Sequence, residues 1–110
     1  MQLETSVTRR EGAVVLAVSG EVDLATAEQF QEAVRASGAG AERLVVDLRQ
    51  LGFLDSSGVR ALLVAARYVG VSRVSVVCPP GNTGVRQVLD AVRFDELVPV
   101  LDDLPAEVTG

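Results

Sequence analysis

Gly52-Phe53-Leu54-Asp55-Ser56-Ser57-Gly58-Val59-Arg60-Ala61-Leu62-Leu63 joins two hydrophobic patterns of different period. Before it lies an apolar run, Leu44, Val45, Val46 and Leu48, with the character of a buried strand. After it Val59, Leu62, Leu63 and Ala66 recur at the spacing of one helix face. Asp55-Ser56-Ser57 therefore falls where a strand hands over to a helix. Asp and Ser side chains accept hydrogen bonds from the free N–H groups of a first helical turn. Those N–H groups and the helix dipole also favour an anion there. A serine at this junction can carry a phosphate with little disturbance to the fold.

A helix cap alone accounts for Asp55 or a neighbouring Ser, but two features do not fit a start chosen only for stability. No Glu or Gln stands three residues after either Ser, so a capping box is missing. Gly58, a weak helix former, and Arg60, a charge opposed to the dipole, both occupy the first turn.

Working outward, the 110 residues suffice for one domain, 1–110, with one core. With 48% hydrophobic but 4% aromatic residues, that core is predicted to be mostly Val, Leu and Ala. A net charge of −5 without a basic stripe argues against nucleic acid. The absence of His removes the usual general base and the commonest metal ligand. The single Cys excludes an internal disulfide and a Cys-cluster metal site. No apolar run reaches transmembrane length, and Met1-Gln2-Leu3-Glu4 does not open a signal peptide. The expectation is a soluble cytoplasmic protein with no membrane partner, no metal and no cofactor.

In chain order, Leu3–Arg9 is predicted as an edge strand and Arg10-Glu11-Gly12 as a hairpin turn. Ala13–Val18 is apolar on both faces, the mark of a central strand, and ends at Ser19-Gly20. Asp23 is a candidate cap for a helix with Leu24, Ala27, Phe30 and Val34 on its inner face. Ser37-Gly38-Ala39-Gly40 stops that helix. Arg43–Leu48 is a second buried strand, interrupted by Asp47, which is expected to be hydrogen-bonded near the strand end. The helix after the serines runs to Tyr68-Val69-Gly70. Arg73–Cys78 is a third buried strand, and Cys78 a buried, inert thiol. Asn82 or Thr83 caps a helix facing inward with Val85, Val88, Leu89 and Val92. Val98–Leu101 is a short edge strand, Asp102 or Asp103 caps a last turn near Pro105, and Glu107-Val108-Thr109-Gly110 is expected to fray.

The predicted fold is a mixed α/β sheet of four to five strands. An N-terminal antiparallel hairpin leads into parallel inner strands joined by right-handed crossovers, with helices covering at least one face. Its chemistry points away from catalysis. No P-loop, Rossmann glycine spacing or Gly-Xaa-Ser-Xaa-Gly occurs, and Ser56 and Ser57 have no His to activate them. The helix after the serines offers a surface instead, with Val64 set between Arg60 and Arg67 and followed by Tyr68.

Asp55-Ser56-Ser57-Gly58 behind Leu51-Gly52-Phe53-Leu54, with Gly20-Glu21-Val22-Asp23 opening the earlier helix, resembles the STAS domain. The similarity spans essentially the whole chain and is closest to the stand-alone bacterial anti-sigma factor antagonists. It implies that Ser56 is a phosphoacceptor and that Asp55, Ser57, Gly58, Glu21 and Asp23 contact a partner. The implied partners are an anti-sigma factor serine kinase of the histidine-kinase-like ATPase fold and a metal-dependent serine phosphatase. A weak homodimer is compatible with it. Departures from the family pattern are Arg60, where a small or apolar residue is usual, the short C-terminal helix and the Pro79-Pro80-Gly81 loop. The alternative within the same family is a scaffold subunit of a signalling assembly or lipid-transport complex, in which Ser56 is a contact or a cap.

Overall fold

The computed structural model describes residues 2–108. It contains β1 (Leu3–Arg10), β2 (Ala13–Val22), α1 (Ala27–Gly38), β3 (Arg43–Leu54), α2 (Ser56–Val69), β4 (Val74–Val77), α3 (Thr83–Ala91) and β5 (Val100–Leu101). The strands form one sheet in the order β1-β2-β3-β4-β5. β1 and β2 pair antiparallel and every other pair is parallel. The two-residue hairpin loop has positive φ at both Glu11 (48°) and Gly12 (91°), the combination whose twist matches that of the flanking strands.

The interior strands are apolar on both faces for two different reasons. Val14, Leu16, Val18, Leu44, Val46, Leu48 and Val76 meet the helices, packing with Phe30, Val34, Leu62, Ala66, Val85 and Leu89. Ala13, Val15, Val45 and Val77 form a second cluster, closed by Leu101, Leu104 and Val108. The expectation of one core is thus corrected: apolar clusters lie on both faces, and the second is covered by the C-terminal segment.

That segment also departs from the frayed tail. Arg86 holds Asp102 at 3.0 Å, Arg49 lies 3.7 Å from Asp103, and Arg43 pairs with Glu107. Val108 is buried. The Asp102 carboxylate accepts from Arg86 Nη1, and Asp103 accepts from the N–H of Leu104 at 2.8 Å. The last turn, Ala106–Val108, closes with Val108 N–H donating to Pro105. Thr109 and Gly110 of the expected tail lie outside the described residues.

Other boundaries move for local reasons. β2 and β3 run on to Val22 and Leu54, past the predicted ends at Val18 and Leu48. Leu24, placed inward by the wheel, is 83% exposed, because the helix begins only at Ala27. Asp23 organises the intervening turn: its Oδ1 accepts from Ala25 N–H at 3.0 Å and Thr26 N–H at 3.1 Å. Val92 is exposed because α3 ends at Ala91 and Arg93 turns the chain with φ 55°. Arg73 lies in a tight turn before β4, where its guanidinium bonds the carbonyls of Ala41 and Val69. Val98 and Pro99 precede β5 and are not part of it, although the carbonyl of Pro99 still accepts from Val76 N–H. Asp47 is buried and satisfied, taking Arg49 Nε at 3.0 Å and Nη2 at 2.9 Å.

Asn82 precedes α3 but its side chain does not cap that helix. Its Nδ2 donates to the carbonyls of Leu51 at 2.8 Å and Leu48 at 3.3 Å, pinning the loop before α3 to β3. Asn82→Ala is expected to lower the unfolding free energy by about 1 kcal/mol. Urea unfolding measures it, and an unchanged midpoint and slope would contradict this role.

Candidate functional site

The parallel pairing of β2 with β3 brings the two sequence motifs to one end of the sheet. Glu21 stands beside Phe53 and Val22 beside Leu54 in the register. Asp55 N–H donates to the Val22 carbonyl at 3.3 Å, extending the contact past the strands. Glu21, Asp23 and the Asp55–Gly58 turn are therefore neighbours at the carboxyl ends of adjacent parallel strands, where open α/β sheets place their sites.

Asp55 determines the local geometry. Its backbone is extended (φ −115°, ψ −173°) and its side chain caps α2. One oxygen, Oδ1, accepts from Ser57 N–H at 3.0 Å, Gly58 N–H at 3.2 Å and the Ser57 hydroxyl at 2.5 Å. The Ser57 hydroxyl is the main reason the Asp55 carboxyl lies below its ordinary pKa, with the two N–H groups adding to it and burial opposing. The place of a capping box's Glu, which accepts from the N-cap N–H, is taken by the Val22 carbonyl, which accepts from Asp55 N–H at 3.3 Å.

The two serines differ in consequence. Ser57 is half-buried and its hydroxyl is committed to Asp55. Ser56 is exposed at the first helical position, and its hydroxyl bonds no other group among the described residues. Extended to this turn, the period of the α2 inner face would point Ser57 outward. The wheel does not hold here, because the first turn is oriented by the Asp55 carboxylate.

Gly58 serves packing. It is buried, and a Cβ there would lie 2.5 Å from Leu54 Cδ1 and 2.7 Å from Val22 Cγ1. The start of α2 is pressed against the ends of β2 and β3 more closely than any side chain permits.

Arg60, Val64 and Arg67 lie on the outer side of α2 at helical spacing, and both Arg residues are exposed. Val64 is 42% exposed and Tyr68 64%. The Arg35 guanidinium sits 4.8 Å from the centre of the Tyr68 ring, which carries this surface onto α1. Sequence reasoning missed two further members of the region. Leu24 projects from the turn after β2, and Phe53, 45% exposed, stands at the end of β3. Strand alternation does not find Phe53: counted from inward Leu51 it sets Phe53 inward as well, and the irregular register of β2 and β3 near Gly20 and Glu21 breaks that alternation. Leu24 carried no signal, because its exposure depends on where α1 starts.

Among the described residues no group of three Cys, Asp or Glu gathers to hold a metal. Cys78 is buried below the surface, and burial foremost pushes its thiol pKa up, with Asp90 adding to the effect and Arg86 opposing it. What the site offers is an exposed hydroxyl at a helix start, beside a surface of exposed apolar and Arg side chains.

Two expected outcomes test this geometry. The folded-state pKa of Asp55 is below its unfolded value, so its stabilisation is present above roughly pH 4 and fades as pH falls through the folded pKa. Asp55→Ala should cost about 1 kcal/mol at pH 7, with the difference from wild type shrinking in acid. A pH-independent difference would contradict the assignment. Gly58→Ala should destabilise by about 1–3 kcal/mol from crowding, where helix propensity alone would give a gain of about 1 kcal/mol. Chemical denaturation decides the sign.

The family model described as "Mlab, STAS domain" matches residues 5–99. An anti-sigma-F factor antagonist of Mycobacterium tuberculosis, RsfB, is 28% identical over 109 residues, covering 98% of this chain and 88% of its own length. The crystal structure of an anti-sigma factor antagonist from Mycobacterium paratuberculosis superposes with a TM-score of 0.85 at 28% identity, covering 94% of this chain and 88% of that one. The antagonist SpoIIAA in its unphosphorylated form shares the fold, with a TM-score of 0.64 at 20% identity and coverage of 96% and 92%. The Bacillus SpoIIAA in its phosphorylated form does likewise, with a TM-score of 0.60 at 21% identity and coverage of 90% for each chain. With the motif residues gathered at one end of the sheet and the match running through nearly all of it, the chain belongs to the STAS domain family.

Proposed function

We propose that this protein is an anti-sigma factor antagonist that works as a phosphoswitch and not as an enzyme. In this account the unphosphorylated form binds an anti-sigma factor, which is also a serine kinase of the histidine-kinase-like ATPase fold, and so frees a sigma factor. Phosphorylation of Ser56 ends the binding, and a metal-dependent serine phosphatase restores it. The observation that carries this is the division of labour between the serines: the Ser57 hydroxyl is held by Asp55 at 2.5 Å, and the exposed Ser56 hydroxyl is not held by any group among the described residues. The names of the relatives support the partner class, and the solution of SpoIIAA in both phosphorylation states supports a fold that accommodates the group.

The binding surface is assigned to Glu21, Asp23, Asp55, Ser56, Ser57 and Gly58 at the strand ends and to Arg60, Val64 and Arg67 along α2. A phosphate adds roughly −1.5 to −2 charges at pH 7. The helix start favours it by about 0.3–1 kcal/mol, and the Asp55 carboxylate beside it opposes that gain. Folding should therefore change little. In a contact the same group loses water, and an unpaired buried charge costs on the order of 2–5 kcal/mol. That corresponds to a thirty- to several-thousand-fold loss of affinity, at about 1.4 kcal/mol per tenfold.

Titration of the kinase against wild type, Ser56→Ala and Ser56→Asp tests the proposal, with thermal unfolding measured in parallel. Ser56→Ala should bind as wild type does and accept no phosphate. Ser56→Asp should bind at least about thirtyfold more weakly, at the lower end of that range, with unfolding almost unchanged. Undiminished binding by Ser56→Asp would contradict the switch and favour the scaffold role.

A further inference from the structure

We propose that β1 is an interface for a second copy of this chain, paired antiparallel about a two-fold axis at Val7. β1 has eight residues, and its inner side pairs with β2 at every position from Leu3↔Gly20 to Arg10↔Ala13. Its outer side faces no other strand among the described residues, and Glu4 through Arg10 are all exposed. Such an edge is a template for another strand unless it is short, bulged, interrupted by Pro or covered.

The other edge of the same sheet has those protections and β1 has none. β5 is two residues long, Pro99 stands just before it, and the segment held by Arg86, Arg49 and Arg43 follows it. β1 contains no Pro, and its pairing with β2 has no bulge. The remaining device is charge, and here it selects a partner. Glu4 is at one end of β1, and Arg9 and Arg10 are at the other. A parallel copy would set Glu4 against Glu4, whereas an antiparallel copy sets opposite signs together.

Symmetry fixes the register further. A two-fold axis normal to the sheet keeps each side chain on its own face. Directly opposed residues must then differ by an even number, so one residue faces its own copy. Centred on Val7, Glu4 opposes Arg10 of the second copy, twice per dimer, Ser6 opposes Thr8, and Val7 opposes itself. Val7 is 47% exposed in one copy, an apolar side chain that this pairing covers. Centring on Ser6 or Thr8 matches neither charge pair. Ser56 follows β3, two strands in from this edge, so the pairing leaves the α2 surface of each copy available.

Sedimentation velocity on the full chain, from low micromolar to millimolar concentration, tests the proposal. A single strand pair is a small interface, so association is expected toward the upper end and weaker in high salt. Glu4→Arg alone and Arg10→Glu alone should each weaken it about tenfold or more. Mixing those two variants should restore association as a heterodimer, because every opposed pair then has opposite signs. Val64→Ser on α2 should leave it unchanged. In wild type, β1 amides should gain hydrogen-exchange protection with concentration while α2 amides do not. A chain monomeric throughout, association indifferent to both reversals, a mixture no stronger than its components, or exchange of β1 independent of concentration would each overturn the proposal.

Discussion

The Asp55 carboxylate is the interaction on which the working end of this molecule depends. A parallel strand must stop, and a helix must begin with its first N–H groups unpaired. Asp55 meets both needs: its backbone N–H reaches the Val22 carbonyl, and Oδ1 collects the Ser57 and Gly58 N–H groups. The same oxygen takes the Ser57 hydroxyl, and that added bond separates the fates of two adjacent serines. Gly58 then lets the helix start settle onto Val22 and Leu54. Capping, close packing and the presentation of Ser56 are one local solution.

The rest of the sheet holds that end in place by asymmetric means. One face is buried by helices, chiefly through Phe30, Val34, Leu62, Val85 and Leu89. The other is buried only in part, by Leu101, Leu104 and Val108, with Arg–carboxylate pairs along the same segment. The carboxylates of those pairs are exposed and screened by water, so the apolar contacts of Val108 and Leu104 are the stronger attachment.

Much of this was legible in the sequence. Runs apolar on both faces marked the interior strands, and Phe30, Val34, Val85 and Leu89 followed the helical period. Asp55 was identifiable as a cap and Asp47 as a satisfied carboxylate. The misses share a cause: they depend on contacts distant in sequence or on where an element starts. Leu24 is exposed because Asp23 and Thr26 make a turn before α1, which the helix period hides. Asn82 looked like a cap, yet its amide goes to carbonyls of Leu48 and Leu51, more than thirty positions earlier. The C-terminal segment looked free to fray because its Arg partners lie on β3 and α3. Gly58 looked like a flaw in a helix until the side chains of Val22 and Leu54 were seen beneath it. The choice between Ser56 and Ser57 rests on family resemblance, and the Ser57–Asp55 hydrogen bond is the observation that supports the proposal for Ser56.

Two adjacent hydroxyls differ here: that of Ser57 is held by Asp55, and that of Ser56 is free among the described residues. The free one stands at a helix start that tolerates an anion, next to exposed Phe53, Arg60 and Val64. In the proposed switch, adding charge there alters what can dock far more than what can fold. The most direct measurement is to incubate the wild-type chain with its cognate kinase and ATP and map the phosphate by mass spectrometry. The account predicts phosphate on Ser56, with Ser57 unmodified. Phosphate on Ser57, or none on either serine, would contradict it.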